Sequence, residues 1–218
     1  MKKITFVLIL GFLCLSAAIQ VQAQDMSLKA IVARNAKPVI VPFRDQSTGL
    51  YGYKNTKTGK ILVPAKYNFA NAFSEGLGAV NVSGKVAYDK EYATDYVCKG
   101  GKWGYVDSIG TVVIAAKYDN TDDFHEGFSS VEQNKKKALI DATGKVITEF
   151  KYEYIYPFSE GLAVVGRGKP LKFTYVDKTG KEILPCDMDE ANSFFKGKAK
   201  IIRFGTTYYI NKKGERAR

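Results

Sequence analysis

The chain has 218 residues and a formal net charge of +11, from 33 lysines and arginines against 22 aspartates and glutamates. One histidine and three cysteines, none closely spaced, exclude a zinc centre of the usual ligand pattern. The positive charge is spread over lysine-rich turns rather than gathered in one block. That leaves two readings, a solvated surface or a field that draws polyanions.

Residues 1–23 read as a secretory leader. Lys2 and Lys3 form the positive end, Ile4 to Leu15 an apolar run broken only by Thr5 and Gly11, and Val21-Gln22-Ala23 a small-residue cleavage site before Gln24. The apolar run is shorter than the roughly 20 residues of a membrane span, and no later segment is apolar enough to supply one. Cys14 lies inside the run after Phe12 and Leu13, where a lipoprotein signal calls for small residues. The expected product is an exported chain, periplasmic or extracellular, with no transmembrane span after cleavage. Only Cys98 and Cys186 then remain. In an oxidising compartment they are either one disulfide or two free thiols, and spacing alone does not choose.

Residues 24–48 are expected to form an amino-terminal half-unit, with Pro38-Val39-Ile40-Val41-Pro42-Phe43 as its strand. From residue 49 to 218 one spacing organises the chain. Turn glycines at Gly59, Gly110, Gly144 and Gly180 are each followed 17 residues later by a second, at Gly76, Gly127, Gly161 and Gly197, and Gly214 opens a truncated copy. Units of roughly 34 residues lie in the period range of repeat folds. A residue type recurring once per unit is therefore read first as structural.

Each unit begins with a β-rich run ending in Asp-x-x-Gly: Asp107, Asp141 and Asp177 stand three before their glycine, as does Asn211. The side chain accepts a backbone N–H two residues on and the glycine takes a left-handed conformation, which predicts a hairpin. Second strands are predicted at Lys60 to Val63, Thr111 to Ile114, Lys145 to Ile147 and Lys181 to Leu184, with Pro64 and Pro185 closing two of them. A compact irregular link follows, carrying Lys66-Tyr67, Lys117-Tyr118 or Lys151-Tyr152 and an aromatic at Phe73, Phe124, Phe158 or Phe194. Third strands are predicted at Leu77 to Val82, Phe128 to Gln133, Leu162 to Val165 and Ala199 to Arg203. Small residues recur at Gly52, Gly104, Ala138 and Thr174, where a neighbouring backbone or aromatic is expected to pass close. About 17 extra residues near 84–100 read as a hairpin or a long loop carrying Tyr88, Tyr92 and Tyr96.

Lys102-Trp103-Gly104-Tyr105-Val106-Asp107, with Gly110 and later Glu126-Gly127, resembles the signature of the bacterial WG repeats, also called KWG repeats. Degenerate copies are Leu50-Tyr51-Gly52-Tyr53, Lys172-Phe173-Thr174-Tyr175-Val176-Asp177, Phe73-Ser74-Glu75-Gly76-Leu77 and Phe158-Ser159-Glu160-Gly161-Leu162. The resemblance implies a module of exported or surface proteins with no shared enzymatic activity.

The fold class expected is all-β, with tandem antiparallel three-stranded units stacked as a twisted solenoid. A β-propeller is the alternative, although its blades need roughly 40 to 45 residues. His125 sits in a variable turn, which removes most triad chemistry. Glu75, Glu126 and Glu160 occupy one repeat position, whereas paired catalytic carboxylates need distinct environments. The functional expectation is a non-catalytic binding module of the cell envelope, with no cofactor and no metal. Its partners are expected to be a protein or an anionic glycan or lipid, not chromosomal nucleic acid. The candidate binding residues are the recurrent Lys66, Lys117 and Lys151, which stacking would align as a basic stripe, and Trp103, which stands beside the tyrosine-rich insertion.

Overall fold

The computed structural model describes residues 39–88 and 96–217. The leader expected at 1–23, most of the segment 24–48 including Pro38, and Tyr92 in the insertion lie outside the described residues. Runs of alternating β-branched and aromatic residues between glycine turns produce an all-β chain. There is no helix among the described residues.

Strands β1 (Ile40–Arg44), β2 (Tyr51–Asn55) and β3 (Ile61–Tyr67) form a three-stranded antiparallel sheet. Strands β4 (Phe69–Ser74) and β5 (Leu77–Val82) lead into the insertion, which is a hairpin of β6 (Lys85–Tyr88) and β7 (Tyr96–Lys99). Strands β8 (Lys102–Val106) and β9 (Val112–Tyr118) then complete a four-stranded sheet ordered β4-β5-β8-β9. Three further three-stranded sheets follow. They are β10 (Asn120–Thr121), β11 (Phe128–Gln133) and β12 (Lys136–Asp141); β13 (Tyr154–Ile155), β14 (Leu162–Arg167) and β15 (Lys172–Asp177); and β16 (Glu190–Ala191), β17 (Ala199–Arg203) and β18 (Thr206–Ile210). No sheet closes or curls on itself among the described residues.

Sheet and sequence repeat are out of phase. The predicted link is not wholly irregular, because it contributes β4, β10, β13 or β16, each paired to the third strand of its own copy. That third strand pairs in turn with the first strand of the next copy. Each sheet therefore spans a repeat boundary, and the main-chain ladder itself joins one copy to the next. The insertion leaves this ladder intact. Gly78 to Val82 and Lys102 to Val106 stay in continuous register across it, so the extra hairpin projects where other copies carry a short turn at Asn134-Lys135 or Phe204-Gly205.

The predicted Asp-x-x-Gly hairpins form as expected. The Asp107, Asp141, Asp177 and Asn211 Oδ1 atoms accept the amides of Ile109, Thr143, Thr179 and Lys213 at 2.9 to 3.0 Å. Two expectations for the second strand are corrected. Pro64 does not close its strand but lies within β3, in a bulge where Gly52 alone faces the residues between Val63 and Tyr67. With pairing skipped there, the missing proline N–H costs no ladder bond. The runs at Lys145 to Ile147 and Lys181 to Leu184 are reduced to isolated bridges, Ile140 to Val146 and Val176 to Glu182.

The small-residue column explains that difference. A Cβ at Gly52 would lie 2.3 Å from the Val63 carbonyl oxygen, and one at Gly104 would lie 2.4 Å from that of Ile114. Only glycine lets the bulged second strand lie against the first, so β3 and β9 are full strands in these two copies. The later copies carry Ala138 and Thr174 at this position, and side-chain hydroxyls replace ladder bonds. Thr148 Oγ1 accepts the Leu139 amide at 3.0 Å, and Thr174 Oγ1 donates to the Leu184 carbonyl at 2.6 Å.

Buried side chains fall into four clusters along the unit Ile40–Arg218. Three of them contain an equivalent pair, a first-strand tyrosine against the link phenylalanine: Tyr53 with Phe73, Tyr105 with Phe124, and Tyr175 with Phe194, at ring separations of 4.5 to 4.9 Å. Each tyrosine hydroxyl donates to a link carbonyl, of Asn71, Asp122 and Asn192, at 2.7 to 2.8 Å. Burial pushes the Tyr105 hydroxyl up to about 12. The turn glycines meanwhile pack on the preceding copy. A Cβ at Gly180 would lie 2.6 Å from the Ile147 carbonyl oxygen, whereas one at Gly59 would meet nothing, although both have positive φ. Gly59→Ala is expected to cost only the left-handed penalty of roughly 1 to 2 kcal/mol. Gly180→Ala should cost at least about 1 kcal/mol more, because backbone must move. Chemical denaturation of the two variants checks this, and equal losses would contradict the contact.

Candidate functional site

The recurring charged residues are occupied by structure. Lysines opening three first strands bind the acid that follows the link tyrosine or methionine: Lys102 with Asp119, Lys136 with Glu153 and Lys172 with Asp189. The same acids cap the next turn, where Asp119 accepts the Asn134 amide at 2.8 Å and Asp189 that of Gly205 at 3.1 Å. Hydrogen bonding from the lysine first, and from the turn amide second, holds Asp119 and Asp189 below the usual carboxylate range. The lysine of the Lys-Trp-Gly phrase is thus a latch.

Glu75, Glu126 and Glu160 are stitches between copies. Each stands with its glycine in a two-residue turn with φ of 51° to 54° at the glutamate and 85° to 87° at the glycine. Glu75 accepts the amides of Glu126 and Gly127 at 2.8 and 2.7 Å; Glu126 accepts that of Gly161 at 2.9 Å; Glu160 accepts that of Gly197 at 3.0 Å. Partial desolvation, the largest single influence, pushes the Glu126 carboxyl up. Hydrogen bonds from Lys178 and the Gly161 amide outweigh it, leaving the group below the usual range. Ser74 and Ser159 add hydroxyl bonds of 2.7 Å to the carbonyls of Phe124 and Phe194. His125 replaces that serine at the intervening junction and is exposed.

Lys66, Lys117 and Lys151 hold equivalent places, with ammonium groups 5.2, 5.2 and 5.4 Å from the ring centres of Tyr67, Tyr118 and Tyr152. The first two lie in the bulges opposite Gly52 and Gly104. Lys151 differs, because Glu182 and Glu149 lie 3.5 and 4.0 Å from its ammonium. Glu182 also takes two hydrogen bonds from Arg167, at 2.9 and 3.1 Å, and one from the Tyr152 hydroxyl at 2.9 Å. Arg167 above all holds Glu182 below the usual carboxylate range. In the two earlier copies the residue equivalent to Glu182 is Val112 or Val146, and the buried hydroxyls of Tyr67 and Tyr118 have no hydrogen-bond partner among the described residues.

Trp103 is 7% exposed. It packs in the cluster of Tyr105, Ile114, Tyr118 and Phe124, with its ring 6.1 Å from that of Phe69. The position takes its indole into the sheet interior, where it packs as a core residue. Cys98 and Cys186 are free thiols, so the disulfide left open by the sequence is not formed. Cys98 packs against the Trp103 cluster, and Cys186 Sγ donates to the Lys172 carbonyl at 3.4 Å. Burial pushes both thiols up, which disfavours the reactive thiolate. Among the described residues no group of three His, Cys, Asp or Glu side chains is placed to hold a metal.

The last copy breaks the pattern. Where the others carry Ser-Glu or His-Glu before the turn glycine, it carries Phe195-Lys196. Phe195 and Lys196 line an open groove of about 510 Å³ together with Asn192, Ser193, Lys198, Lys200 and Tyr209. A neighbouring depression is lined by Tyr156 and Ala191 together with the same Asn192 and Ser193. Phe195, Tyr209 and Tyr156 are 72%, 53% and 43% exposed, and the Lys196 ammonium lies 5.3 Å from the Phe195 ring centre. The sequence reading missed these residues. Their signal was the loss of the serine and the glutamate together.

These stitched units, with a tryptophan-glycine strand at the centre of the best copy, define a β-repeat protein. The family model described as WG containing repeat matches residues 51–85, 103–136, 139–168 and 173–201, and the chain belongs to that family. No curated protein matches the chain.

Two measurements check these assignments. Val146→Glu places a carboxylate where Tyr118 and Lys117 can copy the arrangement of Tyr152, Lys151 and Glu182. It is expected to stabilise the domain by about 1 kcal/mol, the scale of one buried hydrogen bond, and to lose that gain when Tyr118 is changed to Phe. Trp103, the sole tryptophan, should emit at short wavelength and resist iodide quenching, and Trp103→Ala should cost about 3 to 5 kcal/mol. A readily quenched indole would contradict its burial.

Proposed function

We propose that this WG repeat protein is a non-catalytic binding module exported to the bacterial cell envelope, its units stacked side by side into a twisted solenoid. The observation that carries the reading is the use of the repeated polar groups. The aspartates cap turns, the strand-opening lysines latch acids and the glutamates stitch copies together. None of these sets is left pointing at a common point where a substrate atom would sit. What departs from the repeat is surface: a projecting hairpin and a groove rimmed by exposed rings and lysines. Repeat arrays commonly bind through such extended surfaces.

A second reading places a polyanion on the lysine stripe. It is favoured by Lys66 and Lys117, each held over a tyrosine ring with no carboxylate at ion-pair distance among the described residues. Lys151 contributes less, because Glu182 neutralises it.

The test is retention of an envelope component by the immobilised exported chain, whose amino-terminal residue is expected to be Gln24. The retained component should be recovered chemically unchanged. Turnover of that component would overturn the non-catalytic reading, and an unprocessed leader would overturn the assigned address. The second reading, by contrast, requires that affinity for heparin or lipopolysaccharide fall steeply with salt and vanish on reversal of all three lysines, and retained affinity in that variant overturns it.

A further inference from the structure

We infer that the groove of the last copy binds a strand of acidic polysaccharide, with Phe195, Tyr209 and Tyr156 as stacking faces for sugar rings and Lys196 and Lys200 as contacts for carboxylate or sulfate groups. The inference rests on the binding-module reading and names its ligand. Three observations converge on this place. The groove volume of about 510 Å³ suits a short run of sugar units. Among the described residues, the charged side chains lining it are Lys196, Lys198 and Lys200. Its rings are exposed by 43% to 72%, although the neighbouring link phenylalanines Phe124, Phe158 and Phe194 are buried, and Phe195 stands where other copies carry Ser74, His125 and Ser159. An exposed aromatic face is flat apolar area, which matches the C–H face of a pyranose.

The position within the array gives the chemistry its reason. In earlier copies the serine and glutamate of this turn bind the following copy. In the last copy a stitching carboxylate would leave a negative charge beside the groove. Lys196 reverses that charge, and Phe195 converts a hydroxyl bond into an exposed ring. Asn192 and Ser193 line both depressions, so the inferred course of a linear chain is from Tyr156 toward Tyr209. An acidic peptide satisfies the lysines but offers no ring faces, which is why a sugar polymer is favoured.

Equilibrium binding of the exported chain to polygalacturonate and to heparin tests this, with dextran and polyglutamate as the neutral-sugar and acidic-peptide comparisons. Phe195→Ala with Tyr209→Ala, and separately Lys196→Glu with Lys200→Glu, should each weaken acidic-polysaccharide binding by at least about tenfold, a difference of 1.4 kcal/mol. Lys66→Glu with Lys117→Glu should leave it within about twofold. All four groove residues are exposed, and Lys200→Gln alone serves as a milder variant if a pair fails to fold. Unchanged affinity in the groove variants, or loss only in the stripe variant, overturns the inference. So does polyglutamate binding as tightly as polygalacturonate. If the chain binds no acidic polysaccharide yet retains an envelope component, the groove assignment falls while the binding-module reading stands; if it retains nothing, both fall.

Discussion

A two-residue turn with both central residues at positive φ points its amides away from its own hairpin, and those amides need an acceptor. Here the acceptor is the glutamate of the preceding copy, so the turns at Glu126-Gly127 and Glu160-Gly161 both donate amides to the copy before and offer a carboxylate to the copy after. The remainder of the architecture depends on this reciprocity. It sets the distance at which copies meet, brings Ser74 and Ser159 onto the next link carbonyl and places Lys178 and Lys212 against Glu126 and Glu160. Carboxylates aligned in this way look like a catalytic row in the sequence, but in the fold their lone pairs are already used.

The second constraint is steric. A bulged strand can lie on its neighbour only where the facing residue lacks a Cβ, and Gly52 and Gly104 provide this. With Ala138 or Thr174 in that place the second strand loses its ladder, and threonine hydroxyls take over part of the bonding. The glycine of the tryptophan-glycine phrase therefore governs strand content, and Lys66 and Lys117 are carried over their tyrosine rings by the same bulges. The copies with Ala138 and Thr174 keep the Asp-x-x-Gly turn but relax the sheet, and of the two only the first keeps the stitching glutamate, Glu160.

Function is approached through departures from the period. A residue repeated in every copy has a shared structural duty, whereas a residue that abandons the duty is free to acquire another. Glu182 abandons an apolar position and gathers Arg167, Lys151 and Tyr152 around it. Phe195 and Lys196 abandon the stitch, and a groove with aromatic and cationic walls results.

Local chemistry determined much of this protein from the sequence alone. The Asp-x-x-Gly turns, the four third strands, the family phrase around Trp103 and the structural character of the glutamates were all legible, because turn geometry and period depend on neighbours in the chain. The strand within each link, the pairing of Leu77 to Val82 with Lys102 to Val106 across an insertion, and the passage of β3 through Pro64 were not. They depend on which backbones meet, and a contact between copies leaves no local pattern. The same reason hid the groove. Phe195, Lys198, Lys200 and Tyr209 are unremarkable in order along the chain, and only the pairing of β17 with β18 sets them around one opening.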